Sequence, residues 1–261
     1  MPGEDLRFIK KVHKICVKCA YKAGHYLMKR YQKGDLKINA HSQHDVKLDV
    51  DVKTEHLIKS TIKAYFPDHG FICEESGPER TVSDFNWVID PLDGTVNFSK
   101  GIPHFCTSIA LKKKDTYLVG VVYDPVKREI FSGVRGVGST LNNIPIERKN
   151  IGSLEEAVIA GGFFKAGSLT NGSRIFEKIA YKVKKLRFFG SAALDLCYLA
   201  CGRVNAYIQH SVNEWDIAAA SLIAELTGVR LVIEKTGSSL NVFGADKNIF
   251  ESLKLIMGEF I

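Results

Sequence analysis

Residues 87–98 have the sequence WVIDPLDGTVNF, and this stretch gives the strongest indication of the fold. The apolar run from Phe85 to Ile89 predicts a short buried strand that leads into two aspartates. Pro91 fixes φ and lacks a backbone donor, which predicts that the chain leaves the strand sharply after Asp90. The carboxylates of Asp90 and Asp93 are then expected to converge on one point.

The turn after Asp93 adds a site for an anion. Gly94 allows the backbone to approach a ligand closely, and Thr95 opens a turn whose N–H groups face outward. Carboxylates next to an anion site are compatible when a cation lies between them, and hard divalent ions such as Mg²⁺ bind carboxylate, carbonyl and phosphate oxygens. An acidic pair can also be no more than a turn, so this stretch alone leaves both interpretations open.

Acidic residues stand at the ends of other predicted elements. A strand over residues 71–73 runs into Glu74, and Asp216 opens an Ala-rich helix. The alternation of apolar and polar residues over 46–52 predicts a strand whose acidic end carries Asp51. Open α/β folds collect their ligands at the carboxyl ends of strands, so Glu74, Asp90, Asp93 and Asp216 are predicted to form one site.

The remaining pattern alternates strands and helices. Helical spacing from Leu57 to Tyr65 ends at Pro67, and β-rich runs across 106–141 predict an antiparallel meander. Beyond Pro145 the predicted elements are strand 157–160, helix 174–184, strand 186–189, helix 191–201, strand 206–209, helix 216–227, strand 230–233 and helix 248–257. We therefore expect an α/β fold in one unit with two packed subregions, 1–145 and 146–261, because the join lacks the composition of a free linker.

The charge of +7 is confined to the N-terminal part of the chain. Residues 1–63 hold 14 Lys and Arg against 7 Asp and Glu, and the remaining residues hold 22 of each. Four lysines recur on one side of an amphipathic first helix that Gly34 ends: Lys10, Lys14, Lys18 and Lys22. This lysine face is either a solvated surface or the nucleic-acid face of a regulatory protein, and the lack of interleaved aromatic residues and arginines favours the solvated surface.

Composition also bounds the location of the protein. Six cysteines in 261 residues are too few for a disulfide scaffold, and the N-terminal residues contain no apolar signal region. Cys16 and Cys19 lie on the apolar side of the first helix, which favours packing over metal binding. No apolar run approaches the ~20 residues needed to span a bilayer. We expect a cytoplasmic protein without a membrane segment.

Three separated motifs closely resemble the inositol monophosphatase family, whose members are Mg²⁺-dependent, lithium-sensitive phosphatases. They are the run 87–98, preceded by Glu-Glu-Ser at 74–76; the segment Gly-Ser-Ala-Ala at 190–193; and Trp-Asp-Ile-Ala-Ala at 215–219. The resemblance covers nearly the whole chain and implies a layered αβαβα sandwich, a homodimer and two or three Mg²⁺ ions per active site.

Site residues follow from the same resemblance. One metal would be held by Glu74, Asp90 and the Leu92 carbonyl, and a second by Asp90, Asp93 and Asp216. Asp51 and Thr95 would orient a water that attacks phosphorus in line, while the second metal stabilises the leaving alcohol. Glu74 is also expected to be catalytic. The backbone of Gly94 and Thr95 would hold the phosphate. Asp93, Gly190, Ser191, Ala192 and Gln209 would contact the sugar or cyclitol.

Substrate identity is less defined than the reaction. Many inositol phosphatases carry a glutamate seven residues before the aspartate of the Trp-Asp motif, where this chain has Gln209. An amide accepts a hydrogen bond from a hydroxyl less strongly than a carboxylate does, which weakens the case for inositol. Fructose-1,6-bisphosphatase activity, alone or alongside inositol phosphatase activity, is the nearest alternative, and a loop over 163–174 with Lys165 and Arg174 offers cations for a second phosphate. Histidinol phosphatase and nucleotide 3'-phosphatase are more distant alternatives.

Overall fold

The helices and strands follow one another along nearly the whole chain. A computed structural model describes residues 5–34, 38–41, 46–162 and 169–258, with the backbone alone for 38–41, 46–48 and 169–174. Its helices are α1 (Leu6–Lys33), α2 (Asp49–Lys63), α3 (Thr95–Ser99), α4 (Leu169–Ala180), α5 (Ala192–Ala200), α6 (Glu214–Glu225) and α7 (Phe250–Met257). Its strands are β1 (Ile38–His41), β2 (Val46–Leu48), β3 (Gly70–Cys73), β4 (Gly77–Glu79), β5 (Phe85–Asp93), β6 (Cys106–Lys113), β7 (Thr116–Asp124), β8 (Glu129–Val134), β9 (Gly138–Leu141), β10 (Ile144–Pro145), β11 (Val158–Gly162), β12 (Lys185–Arg187), β13 (Ala206–Val212), β14 (Arg230–Thr236) and β15 (Ser239–Ala245).

Two mixed sheets organise these elements, and β1 pairs with β2 in a separate ribbon. The first sheet has the order β10-β9-β8-β7-β6-β5-β3-β4. Strands β6 to β9 pair in antiparallel succession, so the predicted meander is confirmed, whereas β3 and β5 run parallel. The second sheet has the order β12-β11-β13-β15-β14, in which β11 is parallel to both of its neighbours.

The sheets and helices form five layers. Helices α1 and α2 bury their apolar faces against one side of the first sheet, in a core that includes Trp87 and Ile89. The opposite side of that sheet, with Val88, packs on α5 and α6, and these two helices pack in turn on the second sheet. Helices α4 and α7 cover its outer face. The predicted αβαβα sandwich is therefore confirmed.

Helix α6 lies unusually close to the first sheet. A Cβ atom built on Gly120 of β7 would meet the carbonyl oxygen of Ala219 at 2.6 Å and its Cα at 2.9 Å, distances that real Cβ atoms do not tolerate. Gly133 of β8 is similarly close to Ile223, with 3.1 Å to its Cα. The missing side chains let the helix backbone rest directly on the strands, which fixes the spacing of these two layers.

The first helix has the predicted faces. Asp5 caps its start by accepting a hydrogen bond from the Arg7 N–H at 2.9 Å, and Gly34 ends it in the left-handed conformation, with φ of 64°. The four lysines of the lysine face are all exposed, and Cys16 and Cys19 are buried as expected. Among the described residues, no helix is long and apolar enough to cross a membrane.

Several element boundaries differ from the predictions. The predicted strand over 46–52 is wrong beyond Leu48, because Asp49 begins helix α2 and Val50, Thr54 and Ile58 form its buried face at helical spacing. Asp51 therefore lies in the first turn of a helix. The helix predicted over 174–184 begins earlier, at Leu169, and ends at Ala180. Strand β15, which pairs with β13 and β14, has no counterpart among the predicted elements. The boundary between the two subregions stays a prediction.

Candidate active site between the two sheets

The first two carboxyl groups lie side by side at one edge of the first sheet. Strands β3 and β5 are parallel and pair Cys73 with Ile89, so the residues that follow, Glu74 and Asp90, are neighbours. The N–H of Glu74 donates to the Ile89 carbonyl at 3.2 Å and fixes this arrangement. Because side chains alternate along β5, Asp90 points to the same side as Val88, toward helix α6.

The segment after Asp90 corrects one prediction. The chain does not leave the strand there, since β5 continues to Asp93 with a register irregularity between the two aspartates. Side chains satisfy the backbone groups that this bulge removes from the ladder. The Leu92 N–H donates to Asp90 Oδ1 at 2.9 Å, and the Pro91 carbonyl accepts from the Thr107 hydroxyl at 3.0 Å. The bulge brings both carboxylates to the cleft, as bulges near active sites often do.

Asp93 is held from the other half of the chain. Its Oδ2 accepts a hydrogen bond from the Ser191 hydroxyl at 2.6 Å and another from the Ala193 N–H at 2.7 Å. Ser191 is also the N-cap of α5, and its oxygen accepts from the Leu194 N–H at 3.4 Å. Two of the residues predicted to contact substrate, Asp93 and Ser191, are thus joined directly.

Asp216 enters the site from the first turn of α6. One of its oxygens, Oδ2, accepts a hydrogen bond from the Asn213 N–H at 2.7 Å, which fixes the side chain at the start of the helix. Trp215, the residue before it, packs against the central core formed by α5, α6 and both sheets. The chain therefore presents the carboxyl group of Asp216 to the cleft from a rigid helix end.

The turn at Gly94 lies against another segment of the chain, and its predicted approach to a ligand stays a prediction. Its φ of 90° suits glycine, and a Cβ there would meet the His104 carbonyl oxygen at 2.9 Å and Phe105 Cα at 3.2 Å. The Thr95 hydroxyl donates to the Leu92 carbonyl at 2.8 Å. This bond draws the threonine toward one of the predicted metal-binding oxygens, and the predicted pairing of Thr95 with Asp51 stays a prediction.

Asn97 links this turn to the opposite wall, a role that the sequence prediction missed. Its side-chain amide donates to the His104 carbonyl at 2.9 Å and to the Phe189 carbonyl at 2.8 Å. Asn97 belongs to the recognised motif, yet no spacing rule connects position 97 to position 189. Glu55 was missed as well: it is buried in α2 and accepts from the Glu75 N–H at 2.8 Å, which braces the loop that carries Glu74.

These residues surround a cleft of about 640 Å³ between the two sheets. Nearly all of the predicted site residues line it: Glu74, Asp90, Leu92, Asp93, Gly94, Thr95, Gly190, Ser191, Ala192, Gln209 and Asp216. Asp51 is buried behind this lining, close enough that its charge raises the pKa of Glu74. Of the proposed cations for a second phosphate, Lys165 lies outside the described residues, and position 174 lies within helix α4.

The carboxyl groups of the site repel one another, and burial together with this repulsion raises the pKa values of Glu74 and Asp90. Burial, followed by the charge of Asp216, raises the pKa of Glu74 well above its ordinary value. Burial and the charges of Glu74, Asp93 and Asp216 do the same for Asp90. Burial also raises the pKa of Asp93, although its bonds to Ser191 and Ala193 oppose the shift. Among the described residues that line the cleft there is no lysine or arginine to neutralise this charge.

The donor set suits a hard divalent cation. All four side chains offer oxygens, which is the ligand type that Mg²⁺ prefers, and a cation would relieve the repulsion that raises their pKa values. Glu74 and Asp90 hydrogen-bond to each other instead, and within the described residues no three acidic, histidine or cysteine side chains already surround one point.

Cys73 and Cys106 lie beside the site, and their thiols stay protonated. Cys106 is fully buried, and burial followed by the charges of Asp93 and Asp90 raises the pKa of its thiol well above the ordinary range. Burial raises the pKa of Cys73 to about 12. Both residues stay protonated at neutral pH, so they lack the thiolate character that makes a cysteine sensitive to oxidation.

The fold is that of the inositol monophosphatases. The structure superposes on the suhB protein of Bartonella henselae with a TM-score of 0.90 at 30% identity, covering 96% of this chain and 100% of the other. It superposes on the inositol monophosphatase of Anabaena (Nostoc) sp. PCC 7120 with a TM-score of 0.81 at 28% identity, covering 95% of each chain.

The chain belongs to the inositol monophosphatase family, whose sequence model matches residues 9–252. Among its curated relatives is the Nus factor SuhB of Pasteurella multocida, 42% identical over 218 residues that make up 82% of each chain. The resemblance inferred from the three motifs is thereby confirmed.

Proposed function

We infer that the chain is a Mg²⁺-dependent phosphomonoesterase that hydrolyses a small sugar or cyclitol phosphate. One observation carries this proposal: Glu74, Asp90, Asp93 and Asp216 line a single cleft together with the Gly94 turn. Carboxylates suit the metal, the turn suits the phosphate, and the remaining volume suits a small alcohol. Membership of the inositol monophosphatase family supports the phosphatase class.

The metal ligands in this proposal are those implied by the motifs. Glu74, Asp90 and the Leu92 carbonyl would hold one ion, and Asp90, Asp93 and Asp216 would hold another, with two or three ions per site. Bound Mg²⁺ supplies positive charge that neutralises phosphate oxygens and lowers the pKa of a coordinated water. The hydrogen bonds from Ser191 and Ala193 to Asp93 Oδ2 support the assignment, because they orient this carboxylate from behind.

The remaining site residues would position water and substrate. Asp51 and Thr95 would orient the attacking water, and the backbone N–H groups of Gly94 and Thr95 would hold the phosphate. Residues 190–192 and Gln209 would contact the alcohol. The amide of Asn97 supports this arrangement, because its bonds to the carbonyls of His104 and Phe189 keep the phosphate turn and the alcohol wall in register.

A turnover panel tests the proposal directly. The purified chain would be assayed on inositol 1-phosphate, fructose 1,6-bisphosphate, glucose 1-phosphate, a nucleotide 3'-phosphate and histidinol phosphate, with Mg²⁺, with EDTA and with millimolar Li⁺. We expect hydrolysis of at least one sugar or cyclitol phosphate that EDTA abolishes, Mg²⁺ restores and Li⁺ inhibits. Full activity in excess EDTA would contradict the metal mechanism, and preferential turnover of the bisphosphate would select the alternative substrate class.

A regulatory role is the second candidate function. The observation that favours it is the name of the curated relatives, Nus factor SuhB, considered with the positive charge of residues 1–63. Contacts within the chain weigh against this role, since the exposed Lys18 donates from Nζ to the Tyr65 hydroxyl at 2.9 Å and Lys22 Nζ lies 3.5 Å from Thr61 Oγ1. The variant in which Lys10, Lys14, Lys18 and Lys22 are all replaced by Gln tests this role. Tight RNA binding by the wild type at physiological salt, with loss of binding in the variant, would support it. For the phosphatase, we also expect a homodimer and a cytoplasmic location.

A further inference from the structure

The wall of the cleft opposite the carboxyl groups is formed by a distorted strand end. The pairing of β13 with β15 changes register between Gln209 and Val212, and Ser211 has a φ of 55°, which is rare for a residue with a side chain. Its N–H donates to the Asn241 side chain at 3.2 Å, which stabilises the distortion. Bulges redirect side chains, and here Gln209, His210 and Ser211 all line the cleft.

Gln209 is held in one orientation by a neighbour on its own strand. Residues two apart on a strand share a face, and the Tyr207 hydroxyl lies 2.9 Å from Gln209 Oε1. An amide oxygen only accepts hydrogen bonds, so the tyrosine is the donor. The amide oxygen of Gln209 therefore accepts a hydrogen bond from the protein interior. The NH₂ group is the part of this side chain that can form hydrogen bonds in the cleft.

The phenol cannot readily exchange this role. Tyr207 is fully buried, and Gln209 is the one hydrogen-bond partner of its hydroxyl among the described residues. A flipped amide would leave the buried phenolic proton without an acceptor, which is unfavourable. Burial, followed by the charge of Asp195, raises the pKa of Tyr207 well above its ordinary value, so the hydroxyl keeps its proton.

The rest of this wall carries no charge. Burial lowers the pKa of His210 to about 4, so its imidazole is neutral at physiological pH, and Ser211 is a neutral hydroxyl. The wall therefore differs from a carboxylate wall in polarity: its fixed group donates hydrogen bonds. A ligand oxygen that can only accept, such as a carboxylate or a carbonyl oxygen, is the best complement to a fixed N–H donor.

We propose that Tyr207 fixes Gln209 as a donor toward the alcohol portion of the substrate, so that the cleft selects phosphate esters whose alcohol carries a carboxylate or carbonyl oxygen. This inference rests on the proposed phosphatase function, which places the phosphate at the carboxyl wall and the alcohol at the β13 wall. Tyr207 is a positioning residue here, and Gln209 is the residue that touches substrate.

Matched substrate pairs test the proposal. Glucose 1-phosphate and glucuronic acid 1-phosphate differ by a hydroxymethyl and a carboxylate on the same ring, and glycerol 2-phosphate and 2-phosphoglycerate form a second pair. The quantity measured is the ratio of kcat/KM, carboxylate over hydroxymethyl, with Mg²⁺ present. For at least one pair we expect the wild-type chain to give a ratio of about ten, the discrimination of one charge-assisted hydrogen bond.

Two variants separate the roles of the two residues. Gln209→Glu places a carboxylate against the substrate carboxylate and is expected to bring the ratio below one. Tyr207→Phe keeps the buried ring but frees the amide to rotate, and is expected to move the ratio toward one mainly by raising kcat/KM for the hydroxymethyl member. Gln32→Glu and Tyr181→Phe make the same chemical changes at exposed positions and are expected to leave the ratio unchanged.

The outcomes distinguish this inference from the proposed function. Wild-type ratios at or below one for both pairs, or ratios that neither cleft variant changes, would overturn the inference while leaving the phosphatase intact. Absence of turnover on every ester, including a simple aryl phosphate, would overturn the proposed function and the inference with it. A Tyr207→Phe ratio equal to wild type beside a reversed Gln209→Glu ratio would show that the tyrosine does not fix the amide.

Discussion

The two walls of the cleft are built in opposite ways. The carboxyl wall comes from strand ends of the first sheet and from α6, and its side chains repel one another. Asp90 is buried there, and Asp93 is held by hydrogen bonds from Ser191 and Ala193, far along the chain. The β13 wall comes from one bulged strand of the second sheet and carries half-buried, uncharged groups. Under the proposed function, reactivity and selectivity should therefore be separable, because the proposed metal ligands and Gln209 lie on different parts of the fold.

The largest effect should come from the carboxyl wall. Asp90→Asn removes the charge shared by both proposed metal positions, and we expect kcat with Mg²⁺ to fall by at least about a thousandfold, or ~4 kcal/mol. Asp84→Asn makes the same change at an exposed position and should retain activity. Steady-state kinetics on the preferred ester decide the point. A decrease of less than tenfold in the Asp90 variant would mean that the carboxyl wall does not supply the chemistry.

Removing the Asn97 amide, which joins the region of the Gly94 turn to the segment before Gly190, should have the next largest effect. Asn97→Ala leaves the buried carbonyl of His104 and the partly buried carbonyl of Phe189 without this donor, which should lower the free energy of unfolding by about 1–3 kcal/mol. Urea denaturation measures this change. Asn248→Ala removes a bond from an exposed amide to the Ile151 carbonyl and should cost much less. Equal losses in the two variants would show that the Asn97 bonds contribute no more to stability than a bond from an exposed side chain.

The walls should respond to pH with opposite signs. The raised pKa values of Glu74 and Asp90 mean that the folded state binds more protons than the unfolded state above the ordinary carboxyl range, so stability falls as pH rises. The lowered pKa of His210 has the reverse effect, and stability falls as pH decreases from 6.5 toward about 4.

Calorimetry can separate these contributions. In EDTA, raising the pH above the ordinary carboxyl range should lower the Tm of the wild type more than that of Asp90→Asn, and Mg²⁺ should remove the difference. Below pH 6.5, His210→Gln should lose less stability than the wild type. Parallel curves for all three proteins would contradict the charge distribution assigned to the walls.

The smallest effect is expected far from both walls. Replacing Lys10, Lys14, Lys18 and Lys22 with Gln changes an exposed helix face that contributes nothing to the cleft, so kcat and KM should stay within about twofold of wild type. A large loss of activity in this variant would show that the lysine face contributes to the function of the cleft.

Sequence pattern predicted the alternation of strands and helices because this alternation depends on burial and on local turn chemistry, whereas the layered sandwich and the metal ligands followed from the family resemblance. The short alternation over 46–52 misled, since Val50, Thr54 and Ile58 also lie at helical spacing, and packing of α2 against α1 selects the helix. The bulge after Asp90 was missed because its stability comes from Thr107, a residue on another strand. The bond between Tyr207 and Gln209 was beyond prediction for a different reason: periodicity shows that the two side chains share a face, but not which of their atoms meet.

The glycine at position 120 has a consequence for how mutations in this chain would be interpreted. It lies on a buried strand, contacts no ligand and offers no chemistry, yet any side chain there would push against Ala219, one turn beyond Asp216. A random mutagenesis screen for lost activity should therefore recover changes at Gly120 that behave like loss of Asp216. Such a genetic lesion would be classified as structural by its location and as catalytic by its phenotype, because helix α6 carries the displacement to the site.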